Sequence, residues 1–167
     1  MNLRPYVCAD FEALYAVEEL CFELLFRFGR RYMRQLVSRF DVAAWIAEED
    51  GRMTGFAVVE WARRKSGVTA YIQTIEVVPE ARGRGVGRQL LGRIEDSARA
   101  AGAGPIWLHV EAANVGAIRL YETQGYSCLG RQENYYPLGR AALIYKKRLD
   151  AGRADPMGVL PALPGRQ

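Results

Sequence analysis

The apolar positions Leu14, Val17, Cys21, Leu24 and Phe28 recur at alternating gaps of three and four residues, the spacing of one buried helical stripe. Asp10 stands where a helix cap belongs and Gly29 where the helix breaks. A second helix is expected from Arg30 to Phe40, with Met33, Leu36, Val37 and Phe40 on one side and arginines on the other. The period then changes. Val42 to Glu48 and Met53 to Trp61 read as strands joined through Asp50-Gly51, the signature of a tight hairpin turn. Val68 to Val78 is rich in Val, Ile, Thr and Tyr and stops at Pro79, so it reads as a third strand. From Val86 a helical stripe returns at Leu90, Leu91, Ile94 and Ala98 and stops at Gly102 to Pro105. A short strand (Ile106 to Val110), a short helix (Asn114 to Thr123) and two strands (Tyr126 to Asn134, Arg140 to Leu149) complete the pattern. The order ααβββαβαββ predicts a mixed α/β domain over residues 1–149. Beyond it the prolines and lost periodicity predict a flexible C-terminal tail over 150–167.

Half of the 167 residues are apolar and a quarter are charged, as expected for one globular core. Three widely spaced cysteines and one histidine offer neither a disulfide framework nor a metal site. The N-terminus shows no leader pattern, and no apolar run approaches the ~20 residues of a membrane span, so a cytoplasmic protein without a membrane role is expected. The net charge of +4 comes from clusters at Arg27/Arg30/Arg31/Arg34, Arg63/Arg64/Lys65 and Lys146/Lys147/Arg148. Such clusters are either solvated faces or attractors of a polyanion: a phosphorylated cofactor, an acidic peptide or ribosomal RNA.

Between the third strand and the next helix lie Gly83, Gly85 and Gly87, which free the backbone to aim several N–H groups at one point. The helix N-terminus adds a positive partial charge, and Arg82, Arg84 and Arg88 add full ones, so the loop is suited to a pyrophosphate. It lacks the Gly-Lys-Ser/Thr ending of a nucleotide P-loop. Its GxGxG spacing, after three strands and with no acidic residue at the ribose position, does not fit a dinucleotide fold.

The run from Val77 through Arg82-Gly83-Arg84-Gly85-Val86-Gly87 to Leu91 resembles the acetyl-CoA motif, Arg/Gln-x-x-Gly-x-Gly/Ala, of the GNAT acetyltransferase superfamily. Asn114-Val115-Gly116-Ala117-Ile118-Arg119-Leu120-Tyr121, ending at Gly125-Tyr126, is similar to that family's second motif. The resemblance implies a mostly antiparallel mixed sheet, splayed between its two central strands and flanked by helices. It implies acetyl-CoA as co-substrate, held by Ile75, Val77, Val78, Arg82, Gly83, Arg84, Gly85, Val86, Gly87, Arg88, Asn114 and Tyr121, with no metal. The pantetheine arm would lie in the splay, bonded to backbone at Ile75 and Val77.

Tyr71-Ile72-Gln73-Thr74, Leu108-His109-Val110 and Asn134-Tyr135-Tyr136 resemble the N-terminal protein acetyltransferases, of both the bacterial ribosomal-protein type and a eukaryotic methionine-terminus type. That resemblance implies Tyr71 and His109 drawing a proton from the amine, Tyr121 protonating the coenzyme A sulfur, and Phe22, Tyr135 and Tyr136 lining the peptide opening. The bacterial type has glutamate where this chain has His109. Glu76 is the alternative base, and a lone strand histidine is otherwise a core residue. At neutral pH roughly a tenth of an α-amine (pKa ~8) is unprotonated, against a few ten-thousandths of a lysine (~10.4), a gap of ~3.3 kcal/mol. The acceptor expected is therefore a protein or peptide N-terminus. The alternatives are a small amine such as a polyamine, amino acid or aminoglycoside, or a non-catalytic acyl-CoA sensor or ribosome-binding module, ribosome association being the one route to nucleic acid.

Overall fold

Asp50 and Gly51 both take positive φ (51° and 74°), so the chain reverses tightly between strand β2 (Val42–Glu49) and strand β3 (Arg52–Arg64). The computed structural model describes residues 1–149; the tail expected over 150–167 lies outside the described residues. A short strand β1 (Asn2–Pro5) precedes helices α1 (Phe11–Cys21) and α2 (Arg30–Val37). After β3 come β4 (Gly67–Val77), α3 (Val86–Ala100), β5 (Ala103–Glu111), α4 (Val115–Thr123), β6 (Ser127–Tyr136) and β7 (Arg140–Arg148). The seven strands form one sheet in the order β1-β2-β3-β4-β5-β7-β6, antiparallel except for the central pair β4 and β5.

Each face of the sheet buries its own cluster. On one, Leu90, Leu91, Ile94 and Ala98 of α3 pack over Ala57, Val59, Ala70, Ile72, Ile106 and Leu108. On the other, Phe11, Leu14 and Val17 of α1 and Met33 and Leu36 of α2 pack over Ile46, Phe56 and Val58. Each buried Val, Leu, Ile, Phe or Met among them contributes about 1.5–3 kcal/mol by leaving water. Because strand side chains alternate, these contacts assign every residue of the central strands to the α3 face or the α1/α2 face.

Three expectations need correction. The first helix ends at Cys21 and Phe22 is extended, so Leu24 is 76% exposed and Phe28, although buried, is reached by irregular chain. The buried carboxylate of Glu18 holds that chain by accepting the Phe28 N–H at 2.5 Å. The second helix stops at Val37, which leaves Phe40 96% exposed. Asp10 makes no cap to α1; it accepts the Val7 N–H and the two guanidinium N–H groups of Arg4, fastening β1 to the turn before the helix. Strand β1 itself was too short to carry a period, and pairs with β2 at the sheet edge.

Candidate active site

The central pair of strands separates where chemistry was expected. The β4–β5 ladder ends at Tyr71↔Trp107, although β4 continues to Val77 and β5 to Glu111. Just beyond that fork, β4 carries one extra residue, Gln73, between the cross-strand pairs Val59↔Ile72 and Val58↔Thr74. A bulge of this kind bends the strand and resets its alternation. As a result Ile72, Ile75 and Val77 pack against the α3-side core, whereas Tyr71, Thr74 and Glu76 take the α1/α2 side.

At the upper end of the fork, Gly83 (φ 73°) and Gly85 (φ 80°) hold left-handed conformations that other residues rarely adopt. Gly85 is the N-cap of α3 and no side chain caps that helix, so its first N–H groups face outward from a 15-residue dipole. A β-carbon at position 83 or 85 would meet nothing within 4 Å, so these glycines are needed for backbone conformation and leave room above the loop. Val86 is buried at the helix start, and Gly87 lets α3 approach α4, since a β-carbon there would lie 3.3 Å from Leu120 Cδ2. The arginines divide. Arg82 Nε donates to the Val77 carbonyl (3.0 Å), Arg84 pairs with Glu49 (2.6 Å), and Arg88 is exposed on α3 without an ion pair among the described residues. Ile75 and Val78 line the same core edge, and the Cys21 thiol also donates to the Val77 carbonyl, at 3.5 Å. Burial pushes that thiol up to about 11, with Glu76 as a second cause. Asn114 caps α4 by accepting the Ala117 N–H (3.1 Å). The glycine loop, uncapped helix and open fork fit a pyrophosphate followed by an extended arm.

On the α1/α2 face, the Tyr71 hydroxyl lies 3.2 Å from His109 Nδ1, two residues that are 38 apart in sequence. The His109 ring stacks on Tyr135 (centroids 4.4 Å apart, planes at 9°), and Tyr135 meets Tyr136 edge-on at 4.9 Å. Burial holds the His109 imidazole below its ordinary pKa, opposed by a side-chain hydrogen bond with Gln132. The ring is therefore neutral at pH 7, with a group ready to stabilise its protonated form. Phe26, Tyr136 and Ala142 form a small cluster of their own, and Phe22 and Tyr135 pack against it. The three aromatics expected at an acceptor opening thus share one wall beside His109.

Glu76 is 2% exposed and accepts from Thr74 Oγ1 at 2.8 Å. Tyr121 is buried in the α3-side core, edge-on to Tyr126 (5.5 Å) and tilted against Tyr145 (6.4 Å). Burial raises its phenol well above the usual value, with Tyr136 adding to the rise. Among the described residues no group of three or more His, Cys, Asp or Glu could hold a metal, and no helix is long and apolar enough to cross a membrane. Sequence reasoning missed Gln132, Phe26 and the Gln73 bulge. Gln132 and Tyr136 sit on either side of a register shift in β6, so no period connects them, and Phe26 lies off the helical stripe.

Residues 11–126 match the acetyltransferase (GNAT) family. Over 87 residues the chain is 39% identical to streptothricin acetyltransferase of Streptomyces lavendulae, covering 52% of this chain and 45% of that protein. Over 88 residues it is 36% identical to the ribosomal protein bS18-alanine N-acetyltransferase of Salmonella typhimurium, covering 53% and 57%. The chain therefore spans about half the length of the curated relatives it matches. In fold it is similar to the crystal structure of the ribosomal-protein-S18-alanine N-acetyltransferase from Escherichia coli, with a TM-score of 0.78 at 23% identity over 94% of this chain and 99% of that one.

Proposed function

The chain belongs to the acetyltransferase (GNAT) family, and we propose that it transfers the acetyl group of acetyl-CoA to the α-amine of a protein or peptide. The observation that carries the acceptor class is the Tyr71–His109 pair, 3.2 Å apart on the α1/α2 face and walled by Tyr135. Acetyl-CoA is held from the other side, by the glycine loop at the start of α3 and the unpaired edge of β4, and supplies an activated acyl carbon at the fork.

The residues then divide the work. Asn114 and the loop orient the donor. The Tyr71 hydroxyl takes the proton of the attacking amine as it passes its own to Nδ1 of neutral His109, and Gln132 stabilises the resulting imidazolium. One C–N bond forms and the C–S bond breaks. A tyrosine at its reference pKa of ~10 already exceeds a thiol at ~8.5, so full proton transfer from Tyr121 to the leaving thiolate is uphill by ~2 kcal/mol. Burial raises Tyr121 further, which assigns it the role of hydrogen-bond donor to sulfur rather than proton source. The imidazolium then gives up this proton through solvent, and the coenzyme A thiolate takes one up, so that the products are the amide and the free thiol. Glu76, bonded to Thr74 beneath this site, fixes the strand and favours a cationic acceptor before it loses its proton.

The ribosomal-protein acetyltransferase relative supports a polypeptide acceptor, and the streptothricin acetyltransferase relative supports a second reading, a small-molecule amine. The aromatic wall of Phe22, Tyr135 and Tyr136 favours the first, because it lengthens the acceptor side beyond a single amine. Acetyl-CoA turnover with peptides bearing a free or a blocked α-amine, against a panel of small amines, tests it. Reaction confined to small amines overturns the peptide reading.

A further inference from the structure

His109 is the chain's single histidine, and one strand brings it two residues that a regular strand could not. Gln132 and Tyr135 both belong to β6 and stand three residues apart, an odd number, so ordinary alternation would point them to opposite faces of the sheet. The strand is irregular there. Its pairing with β7 runs in step through Gly130↔Ile144, Arg131↔Leu143 and Gln132↔Ala142 and then shifts before Tyr136↔Arg140. Within the shift Asn134 takes a left-handed φ of 54°, and beyond that turn Tyr135 stacks on the imidazole.

Register puts Gln132 on the same side as the ring. Residues directly opposite one another in a ladder share a face. His109 opposes Ile144, which opposes Gly130; Glu111 opposes Ala142, which opposes Gln132. Gln132 therefore lies on the face of His109 but two strands away, roughly 10 Å between chains. Of the residues beside that path, Gly130 has no side chain and Ala142 only a methyl, and the carboxamide makes the side-chain hydrogen bond that opposes the effect of burial on His109. Because Nδ1 faces the Tyr71 hydroxyl at 3.2 Å, the nitrogen left for Gln132 is Nε2. The neighbouring charges are committed elsewhere. Glu111 is paired with Arg140 (3.1 Å), Arg27 with Glu19 (3.0 Å), and Glu133 with Arg131, whose partner Leu143 packs on the α3-side core. Glu76 accepts from Thr74, and the Lys146 ammonium lies 4.5 Å from the centre of the Trp107 ring. The other titratable groups at the imidazole are Tyr71, Tyr135 and, behind Tyr135, Tyr136. Among the described residues no carboxylate is bonded to His109, so the group that orients it is a neutral amide.

We propose that Gln132 is the positioning residue that fixes the tautomer of His109: its Oε1 accepts the Nε2–H, which leaves the Nδ1 lone pair bare toward Tyr71. The inference rests on the Tyr71–His109 proton path given above and supplies what directs it. A neutral imidazole has one N–H donor and one acceptor nitrogen, and which nitrogen carries the proton is set by the bond the other makes. With Nε2–H held by Oε1, the Tyr71 hydroxyl donates to Nδ1, and the proton it passes arrives at an empty lone pair while Nε2 keeps its own. The opposite tautomer blocks this path, because Nδ1–H then donates to the Tyr71 oxygen and no lone pair faces the hydroxyl. The amide serves both states of the ring, since Oε1 goes on accepting from Nε2–H in the imidazolium.

The test uses the full chain labelled with nitrogen-15, in which the single histidine gives a single imidazole in a long-range proton–nitrogen NMR spectrum. At about pH 8, where the ring is neutral, a protonated Nε2 and a bare Nδ1 are expected. Gln132→Met removes the acceptor and keeps the length of the side chain. Its ring is expected to mix both tautomers and to titrate at a lower pH than the wild type. Its kcat toward the reactive acceptor of the panel above is expected to fall about tenfold, the low end for a hydrogen bond to a charged group. Gln132→Glu restores an acceptor and adds a charge, so it keeps the Nε2–H tautomer, recovers most of the lost rate and titrates at a higher pH than the wild type. A merely structural role would move neither the tautomer nor the order of the three titrations. An Nδ1–H tautomer in the wild type, or a Gln132→Met protein with the wild-type tautomer and titration, overturns the proposal, as does a Gln132→Glu protein no faster than Gln132→Met. The ring's spectrum needs no turnover, so the two readings fail separately. Full activity in His109→Ala removes the proton path and this inference with it, whereas activity that depends on His109 with a tautomer indifferent to position 132 removes this inference alone.

Discussion

Gly55 of β3 lies directly against the carbonyl of Glu76 in β4, so close that a β-carbon at position 55 would sit 2.4 Å from that oxygen. The obstacle is backbone, and no side-chain rotation relieves it. Leu90 Cδ1 and Val77 Cα, each 3.3 Å from the same point, close the other directions. Gly55→Ala must therefore push β4 away from β3 next to the strand edge assigned to the pantetheine arm. Overpacking of this kind costs about 1–3 kcal/mol, and for a domain of this size each kcal/mol lowers Tm by about 2–4 °C. The variant is expected to melt several degrees lower and to show a raised KM for acetyl-CoA. Thermal denaturation and donor titration check both, and a wild-type KM would show that this strand edge does not hold the donor.

How much of this was legible in the sequence depended on whether a residue's role was local. The Asp50-Gly51 turn, the α3 stripe and the glycines at 83 and 85 act through their own backbone or their own helix, and the sequence pattern placed all three. The Tyr71–His109 pair was named only through resemblance, because its 3.2 Å contact joins parallel strands 38 residues apart. The Gln73 bulge left only a faint trace, a change of phase in the apolar positions from Val68, Ala70 and Ile72 to Ile75 and Val77. Pairing with β3 is what locates the extra residue and shows that Tyr71 and Thr74, an odd number of residues apart, share a face. The α1 stripe failed for a related reason: Phe28 keeps helical spacing but is buried by irregular chain, tied through its N–H to Glu18.

Tyr135 supports His109 through its ring, which stacks at 4.4 Å with the planes 9° apart. Aromatic pairs of this kind are worth about 0.5–1.5 kcal/mol beyond their buried area. Tyr135→Phe preserves the stack and is expected to retain the pH profile of the wild type. Tyr135→Ala frees the imidazole and should lower kcat/KM by roughly 2- to 10-fold, the same energy range expressed as a rate. Steady-state kinetics on both variants separate ring support from a role of the hydroxyl: equal losses in Phe and Ala would assign the effect to the oxygen.

Glu95 presents a stability prediction away from the chemistry. It is 5% exposed, and its carboxylate accepts from the Tyr126 hydroxyl (3.0 Å), from Lys147 Nζ (2.9 Å) and from Arg99 (3.2 Å), joining α3 to β7. Glu95→Ala strands a partly buried ammonium and a buried phenol, which costs about 3–5 kcal/mol. Lys147→Met leaves Arg99 and Tyr126 on the carboxylate and should cost clearly less. Urea denaturation of the two variants orders them, and a larger loss in Lys147→Met would contradict the central position given to Glu95.

The pH dependence joins the donor and acceptor halves of the mechanism. Burial holds His109 below its reference pKa of ~6.5, so the neutral ring that accepts a proton persists below that value and is lost only as pH falls through the lowered one. For stability the sign is the same: the unfolded chain binds this proton more readily, so the contribution is full above ~6.5 and is lost as pH falls toward the folded value. The acceptor sets the other limb, since an α-amine must itself lose a proton with a pKa of ~8. With an α-amine peptide, kcat/KM is therefore expected to climb from pH 6 to about 8 and then level, with a second, lower inflection below ~6.5 from His109. His109→Ala should lose about 10²–10⁴-fold in kcat, and with it the lower inflection, while the amine limb stays because it belongs to the substrate. A variant that keeps its rate, or that keeps the lower inflection, would transfer the base assignment to Glu76, whose carboxylate lies on the same face of β4 as Tyr71.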